Sequence, residues 1–342
     1  MKSQRRVLVL MHADLVPPES IKGLSDQEIA PWKTEYDVVV TLKDLGFETL
    51  PLGVDSDLGV LRDAIESFQP DVTFNLLEEF HGVAVYDHHV VSYLELMQRR
   101  YTGCNPRGLL LAHDKALSKK LLAFHRIRTP DFAVFPMGQK IRRPRRLEFP
   151  LLVKSLTEEA SMGISQASLV NDDAQLQERA EFVHRQLGTD ALAERFVDGR
   201  ELYVGVLGNR RLQVFPTWEL TFDKMPDDVP FIATAKVKWD LDYQKKRGII
   251  YKKAEKLPQG VEQSLTRICK RAYNVLNLTG YARLDLRLTP EGQLFLLEAN
   301  PNPELSFGGE FADSAEAAGC PYDRLLQKIV NLGLSYRVEW QK

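Results

Sequence analysis

The sequence has little of what marks a secreted, membrane-spanning or nucleic-acid-binding protein. Its three cysteines are far apart and form no Cys-x-x-Cys or Cys/His spacing, so we expect reduced, packed thiols and a cytoplasmic location. Too few apolar residues precede His12 for a signal peptide, and no stretch approaches the roughly 20 apolar residues of a membrane span. A formal net charge of −2 gives no overall attraction to nucleic acid or anionic membrane.

Two common phosphate-binding motifs are also absent. Neither G-x-x-x-x-G-K-[ST] nor G-x-G-x-x-G occurs in the chain, so neither a P-loop nor a dinucleotide-binding turn can hold phosphate groups. What is present is ordinary for a globular protein, with 44% hydrophobic and 27% charged residues. A chain of 342 residues is long enough for two or three domains with cores of their own.

Apolar runs and helical patterns alternate in the first third of the chain. This alternation predicts an open parallel sheet with right-handed crossovers, whose ligands bind at the carboxyl ends of the strands. Those ends are the segment after Met11 and residues 76–82, and the polar loop 12–32 is predicted to be either a substrate lid or a solvated connection. The predicted strands are 6–11, 47–53 and 71–77, and the predicted helices are 34–45 and 58–68.

Asp87, His88 and His89 have the residue types of a metal site. Adjacent residues on a helix do not face the same way, so we favour Asp87 as the N-cap of a helix that buries Val90, Leu94 and Met97.

A second pattern centres on residues 281–305, which predict a β-hairpin. The first arm alternates charged and apolar residues, and Pro290 and Gly292 lie in the predicted turn. Pairing Leu288 with Gln293 would set Leu286 opposite Phe295, Leu284 opposite Leu297 and Arg283 opposite Glu298. One face would then be apolar (Leu284, Leu286, Phe295, Leu297, Ala299), and the other would carry Arg283, Asp285, Glu298 and Asn300.

Two carboxylates and an amide oxygen on neighbouring strands are hard ligands that suit Mg²⁺ or Mn²⁺ and not zinc. The alternative is a polar face directed at solvent. Asn-Pro-Asn-Pro directly after Glu298-Ala299 favours the metal site, because a plain solvated strand has no need of it.

Arg283-x-Asp285 followed by Glu298-Ala299-Asn300 resembles the metal-binding signature of the ATP-grasp superfamily, and specifically of D-alanine-D-alanine ligase-like enzymes. The resemblance implies an α/β fold, α+β in its C-terminal part, with an N-terminal open parallel sheet and two subdomains that sandwich a nucleotide. The implied boundaries are 1–108, 109–188 and 189–342.

The resemblance also implies an ATP site. A lysine that closes an apolar strand, Lys154, is well placed for a phosphate, and Lys115 matches the family's Asp-Lys motif and would contact the α-phosphate. Ser161 and Gly163 match a loop that closes over the phosphates.

The adenine would bind between two strands joined by Asp198-Gly199, which we predict to be a hairpin turn. The backbone near Val197 and the side chain of Glu194 would bind its edge, and Glu201 would bind the ribose hydroxyls. Residues 216–256 are expected to be irregular and to supply a lysine to the γ-phosphate, either Lys238, which we favour, or Lys236.

The implied reaction joins a small carboxylic acid to an amine, using ATP and Mg²⁺ (or Mn²⁺), with Arg283 stabilising charge on the transferring phosphoryl group. We therefore expect small-molecule partners, no nucleic acid and no membrane, and a homodimer is one open assembly. Two other functions remain open at this point: a nucleotide-binding protein without ligase activity, and a phosphotransferase.

The acceptor is not expected to be D-alanine. In the resembling ligases, small and hydroxyl residues after Glu-x-Asn bind the carboxylate of the second alanine, whereas this chain has Glu304 in that segment, and like charges in a desolvated pocket repel. The first strand also ends in His12-Ala13-Asp14 in place of the family's Gly-Gly loop and following Glu. The prediction is an amino acid or peptide-like acceptor other than D-alanine.

Overall fold

A computed structural model describes residues 4–157, 163–222, 224, 232–234, 236–237 and 240–338. Within these residues, the strands form three sheets of three, four and six strands. The strands are β1 Arg6–His12, β2 Glu48–Val54, β3 Val72–Asn75, β4 Phe132–Phe135, β5 Leu151–Ser155, β6 Leu169–Val170, β7 Ala191–Arg195, β8 Arg200–Leu207, β9 Gln213–Val214, β10 Trp218–Phe222, β11 Ile249–Lys253, β12 Tyr281–Leu288 and β13 Leu294–Pro301.

The first sheet is parallel, in the order β2-β1-β3, which confirms the alternation of strands and helices in the first third of the chain. Side chains of β1 alternate between its two faces because successive residues on a strand point to opposite sides. Val7 and Val9 pack with the helices Lys33–Asp44 and Tyr322–Ser335. Leu8 and Leu10 pack on the other face, where the helices Leu58–Phe68 and Asp87–Leu96 lie.

Helices lie between many of the strands. Residues 106–124 form two helices, because Asp114 leaves the helical conformation and caps the second helix by accepting the N–H of Leu117. The helices are Asp26–Ile29, Lys33–Asp44, Leu58–Phe68, Asp87–Leu96, Pro106–His113, Lys115–Phe124, Asp173–Leu187, Leu241–Arg247, Val261–Val275, Glu310–Ala317 and Tyr322–Ser335.

The predicted N-cap at Asp87 is wrong by one residue. Tyr86 is the N-cap, and Asp87 is the first residue of the helix, buried at 3.5 Å from the Nε2 atom of His113. A carboxylate in the first helical turn still faces the positive end of the helix dipole. Its partner is a histidine on the helix Pro106–His113.

The second sheet is antiparallel in the order β4-β7-β5-β6 and has a separate core, formed with the helix Asp173–Leu187. The third is also antiparallel, in the order β11-β10-β8-β12-β13 with β9 beside β8. Its apolar face shares a core with the first sheet. Residues 216–256 were expected to be irregular, but they contain β10 and β11, which pair from Trp218 to Phe222.

The Asp198-Gly199 turn does not make a hairpin. The strand before it, β7, belongs to the four-stranded sheet, and the strand after it, β8, belongs to the six-stranded sheet. Gly199 has φ +135° and passes close to the backbone of Leu288. The turn therefore carries the chain from one sheet to the next, which a local turn signal cannot distinguish from a hairpin.

The hairpin of β12 and β13 has a different register from the predicted one. Leu288 pairs with Leu294, and a β-bulge between Asp285 and Leu286 shifts the rest of the ladder. The bulge places Asp285 directly opposite Glu298, and Arg283 opposite Asn300.

The apolar face changes with the register, because Phe295 pairs with Arg287 and Leu297 falls at the bulge. The hairpin residues that enter the shared core are Ala282, Leu284, Leu286, Leu288, Leu294, Leu296 and Ala299.

No helix among the described residues is long and apolar enough to cross a membrane. The domain boundaries at 108/109 and 188/189 remain predictions. β7 follows residue 188 in the chain, but it belongs to the same four-stranded sheet as β4, β5 and β6, which precede that residue.

Candidate active site

The polar face of the hairpin brings four predicted residues together. The guanidinium of Arg283 donates to both carboxylate oxygens of Asp285, from Nε at 2.8 Å and from Nη2 at 3.0 Å. The side-chain amide of Asn300 donates to the same carboxylate at 2.9 Å. Glu298 is directly opposite Asp285 on the ladder. These contacts follow from alternation along two paired strands, which puts every second residue on one face.

Arg283 is held from three sides. Its Nη1 atom lies 3.3 Å from a carboxylate oxygen of Glu310, at the start of the helix Glu310–Ala317, and its guanidinium stands 5.1 Å from the ring centre of Tyr203. Burial opposes its charge, but Asp285 and Glu310 raise the pKa of Arg283 well above its usual range. A fixed, permanently charged guanidinium is suited to bind an oxyanion.

A buried chain of alternating charges connects the four-stranded sheet to this hairpin. Lys119 Nζ lies 2.8 Å from Glu194, Lys154 Nζ lies 2.9 Å from the same carboxylate, and Lys154 Nζ is 3.8 Å from Glu298. Burial alone would raise the pKa of Glu194, yet the two lysines lower it, so this carboxyl remains ionised. Lys154 therefore lies between the predicted adenine residue and the predicted metal ligand.

Glu201 lies on β8, beside the crossover between the sheets. It accepts from Arg287 at 2.5 Å and from the hydroxyl of Tyr203 at 2.8 Å. Arg287 also donates to the carbonyl of Gly199 at 3.0 Å. Val197, whose backbone was predicted to bind adenine, is buried in the crossover segment. The carboxylate of Glu201 is thus oriented before any ligand binds.

The remaining predicted site residues are Lys115, Gly163, Ser161 and Lys238. Lys115 is buried at the first position of its helix, where a positive charge is unfavourable to the helix dipole. Gly163 has φ +71°, and its carbonyl accepts from the guanidinium of Arg179. Ser161 and Lys238 lie outside the described residues, and Lys236, the alternative, is exposed.

Sequence reasoning missed four residues of this site: Lys119, Tyr203, Arg287 and Glu310. Helical spacing could have found Lys119, which follows Lys115 by one turn and shares its face. Strand alternation could have found Arg287, two residues after Asp285, and Tyr203, two residues after Glu201. No local signal connects Glu310 to Arg283, because they meet only through the tertiary fold.

The donor set on the hairpin fits a hard divalent cation. It consists of two carboxylates on directly paired strand positions and the Oδ1 atom of Asn300, whose amide nitrogen already donates to Asp285. Among the described residues, no three His, Cys, Asp or Glu side chains are grouped to hold a metal ion. The set is therefore incomplete for a metal bound by protein alone and suits Mg²⁺, which usually takes one or two carboxylates together with water and phosphate oxygens.

The predicted acceptor region lies beside this site. Glu304 lines the same cavity as Arg283 and Asn300. Glu304 is exposed, so water screens part of its repulsion of a substrate carboxylate. The repulsion is therefore weaker than the prediction of a desolvated pocket assumed. At the end of β1, the ring of His12 lies within 4 Å of three carboxylates, those of Asp14, Asp55 and Glu79.

Comparisons with known proteins show the family of this chain. Residues 121–331, more than half of the chain, match the family described as D-ala D-ala ligase C-terminus. The chain belongs to the D-alanine-D-alanine ligase family of ATP-grasp enzymes. Among its relatives, the uncharacterised protein y4sG of Sinorhizobium fredii is 30% identical over 88% of each chain. The D-alanine–D-alanine ligase of Desulforudis audaxviator is 29% identical over 91% of this chain and 95% of that one.

The fold of this ligase also matches a solved structure. The D-alanine–D-alanine ligase of Bacillus anthracis, in complex with ATP, superposes with a TM-score of 0.75 at 21% identity, over 97% of this chain and 98% of that chain. Membership of the family makes the protein an ATP-dependent carboxylate–amine ligase that forms carbon–nitrogen bonds between small molecules. The other two functions considered above, a phosphotransferase and a binding protein without ligase activity, are therefore set aside.

Proposed function

We propose that this ligase uses ATP and Mg²⁺ (or Mn²⁺) to convert a small carboxylic acid into an acylphosphate and then joins it to an amine other than D-alanine. The observation that carries the proposal is the position of Lys154, 2.9 Å from Glu194 and 3.8 Å from Glu298. One buried cation thereby connects the residue proposed for adenine to the residue proposed for the metal.

The reaction proceeds in two steps. An oxygen of the acid attacks the γ-phosphorus of ATP and ADP leaves. The nitrogen of the amine then attacks the acyl carbon, the C–N bond forms, inorganic phosphate leaves, and the nitrogen loses a proton. A cation held by Asp285, Glu298 and Asn300 would supply charge neutralisation to the phosphates.

The chain's own residues bind and orient the reactants. Lys154 and Lys115 offset phosphate charge, and Arg283, fixed by Asp285 and Glu310, is aimed at the transferring group. Glu194, the backbone at Val197 and Glu201 bind the nucleoside.

The acylphosphate must be protected from water until the amine arrives. Ser161 and Lys238, which the resemblance assigns to loops over the phosphates, lie outside the described residues.

The test is a screen for substrate-dependent ADP release, with mass spectrometry to detect an amide. Amino acids and small peptides are offered as acids and as amines, alone and in pairs. ADP release that requires both reactants, with an amide as product, supports the proposal. If D-alanine is the best acceptor of the panel, the proposed acceptor class is wrong.

Binding of the nucleotide can be tested separately by calorimetry with a nonhydrolysable ATP analogue. Glu201→Gln keeps the volume of the side chain but removes its charge, so we expect analogue affinity to fall about tenfold through loss of charge-assisted hydrogen bonds. Glu178→Gln, an exposed position on the helix Asp173–Leu187, is the control. Equal affinity in both variants would remove Glu201 from the nucleotide site.

We further propose a cytoplasmic location, which is supported by three free and buried cysteines. A homodimer is the assembly to be tested, by analytical ultracentrifugation.

A further inference from the structure

A cavity of about 460 Å³ lies directly beside the hairpin face. Arg283 and Asn300 line it on one side, and the segment from Pro301 to Gly309 lines another. An acceptor amine must reach the acyl carbon next to Arg283, so this cavity is the space in which the rest of the acceptor would lie. We refer to it as the acceptor cavity.

Among the residues that the structure describes, the two cationic side chains lining the acceptor cavity are already paired with carboxylates. Lys33 Nζ lies 2.7 Å from Asp37, and Arg283 lies 2.8 Å from Asp285. Lys33 also donates to the carbonyl of Phe307 at 2.6 Å, which ties it to the cavity wall. Lys33 is therefore occupied within the cavity wall, and Arg283 is assigned to the transferring phosphoryl group, so neither is left for the carboxylate of an acceptor.

Carboxylates outnumber cations in the described part of the lining of the acceptor cavity. Glu304 and Asp313 line it in addition to Glu78 and Glu310. The hydroxyl of Ser306 donates to Glu304 at 2.6 Å, which orients the carboxylate without neutralising its charge. The cavity therefore attracts positive charge and repels negative charge.

Burial raises the pKa of Glu35 to about 7, and the charge of Glu304 adds to that shift. The charge of Glu304 thus acts on a neighbouring carboxyl group.

Aromatic rings complete the acceptor cavity. Tyr203, Trp218, Tyr251 and Phe307 line it, and Tyr203 already carries the guanidinium of Arg283 at 5.1 Å from its ring centre. The face of an aromatic ring attracts a cation. Rings and carboxylates together form a surface suited to an ammonium group, whereas carboxylates alone would be an ordinary solvated edge.

We propose that the acceptor of this ligase is an amine that carries a second cationic group and no carboxylate at that end, as in a diamine or the amide of a basic amino acid. The first amine enters uncharged and forms the amide bond, and the second remains protonated against Glu304, Asp313 and the rings. This assignment rests on the proposed function, because it places the acceptor next to the acyl carbon.

The experiment measures binding to the full chain by calorimetry, with and without Mg²⁺ and a nonhydrolysable ATP analogue. The probes are 1,4-diaminobutane, n-butylamine and D-alanine, which differ in a second cation and in a carboxylate. We expect 1,4-diaminobutane to bind about tenfold more tightly than either of the others. Equal or tighter binding of D-alanine would overturn the assignment.

Variants of the cavity carboxylates test which residues cause the preference for 1,4-diaminobutane. The double variant Glu304→Gln, Asp313→Asn should lose the preference for 1,4-diaminobutane, and Glu316→Gln, exposed on the same helix as Asp313 and outside the cavity, should retain it. A preference that survives in the double variant overturns the assignment. Should the double variant not fold, as shown by its unfolding curve, Glu304→Gln alone replaces it, because Glu304 is exposed.

The two proposals fail separately. If the ATP analogue does not bind, the proposed function is wrong, and the comparison of amines without nucleotide still decides the charge preference of the cavity. If the analogue binds but 1,4-diaminobutane binds no more tightly than D-alanine, only the acceptor class is wrong.

Discussion

Lys119 and Glu194 form an ion pair of 2.8 Å in which the two side chains are 1% and 3% exposed. Lys119 also donates to the carbonyl of Leu297, at the bulge of the hairpin, at 2.9 Å. Burial lowers the pKa of Lys119 although Glu194 opposes this. Lys119 therefore positions two parts of the site at once, the carboxylate proposed for adenine and the strand that carries Glu298.

The first prediction concerns the stability contributed by this pair. Lys119→Met leaves the buried carboxylate of Glu194 with one lysine fewer, and removing one partner of a buried ion pair costs about 3 kcal/mol. Urea unfolding without nucleotide measures the loss. Lys120→Met is the matched control, because Lys120 is the next residue of the helix and is exposed, so its variant should lie within about 0.5 kcal/mol of wild type. Equal stability of the two variants would contradict the role of Lys119.

The second prediction separates the metal ligand from the fold. The side chain of Glu298 is 25% exposed and 3.8 Å from Lys154, so Glu298→Gln should change the melting temperature little while it lowers the ligase rate on the order of a hundredfold. Glu291→Gln, at the exposed hairpin turn, should leave both unchanged. Full activity of Glu298→Gln would remove Glu298 from the metal site.

Asp285 is a poorer choice for that test. It is 3% exposed and accepts two hydrogen bonds from Arg283. Asp285→Asn should therefore lower stability as well as rate, and the two effects could not be separated in that variant.

Sequence patterns were sufficient for the composition of the hairpin face but not for its register. Strand alternation places Arg283 and Asp285 on one face whatever the pairing. The pairing itself depends on the bulge after Asp285. No residue type at that position indicates an extra residue in the ladder. Phe295 was therefore assigned to the wrong face, while the four polar residues were grouped correctly.

Contacts between segments that are distant in the sequence could not be predicted either. Asp198-Gly199 has the composition of a hairpin turn, but only the tertiary fold decides that β7 and β8 enter different sheets. The ion pair of Lys119 with Glu194 was not predicted, because the two residues are 75 positions apart in the sequence. The parallel sheet, in contrast, was predictable, because its strands and helices are defined by local periodicity.

The third prediction is a pH dependence that comes from Glu35. Burial, the dominant cause, raises the pKa of Glu35 from 4.5 to about 7 in the folded protein. Between pH 4.5 and pH 7 the native state binds more protons than the unfolded state, so a rise in pH destabilises the native state. The stabilisation is fully present below pH 4.5 and is lost as the pH rises through 7. The loss is roughly 3 kcal/mol.

Glu35→Gln removes this titration. The difference in unfolding free energy between the variant and wild type should therefore move in favour of the variant by roughly 3 kcal/mol between pH 4.5 and pH 8. Glu48→Gln, on β2 and exposed, should follow the wild-type curve. A constant difference between Glu35→Gln and wild type across this range would show that Glu35 does not titrate with a raised pKa.

The last prediction concerns the crossover between the sheets. A Cβ atom at Gly199 would lie 2.1 Å from the carbonyl oxygen of Leu288, whereas one at Gly292 would meet nothing within 4 Å, and both glycines have positive φ. Gly292→Ala should cost only its backbone strain, about 1 kcal/mol, and Gly199→Ala should cost about 2 kcal/mol more because the backbone must move. The carbonyl of Gly199 accepts from Arg287, which holds Glu201, so Gly199→Ala should also weaken binding of the ATP analogue and Gly292→Ala should not. Urea unfolding and calorimetry on the two variants measure both effects, and equal behaviour of the two would mean that the crossover tolerates a side chain and does not position Glu201.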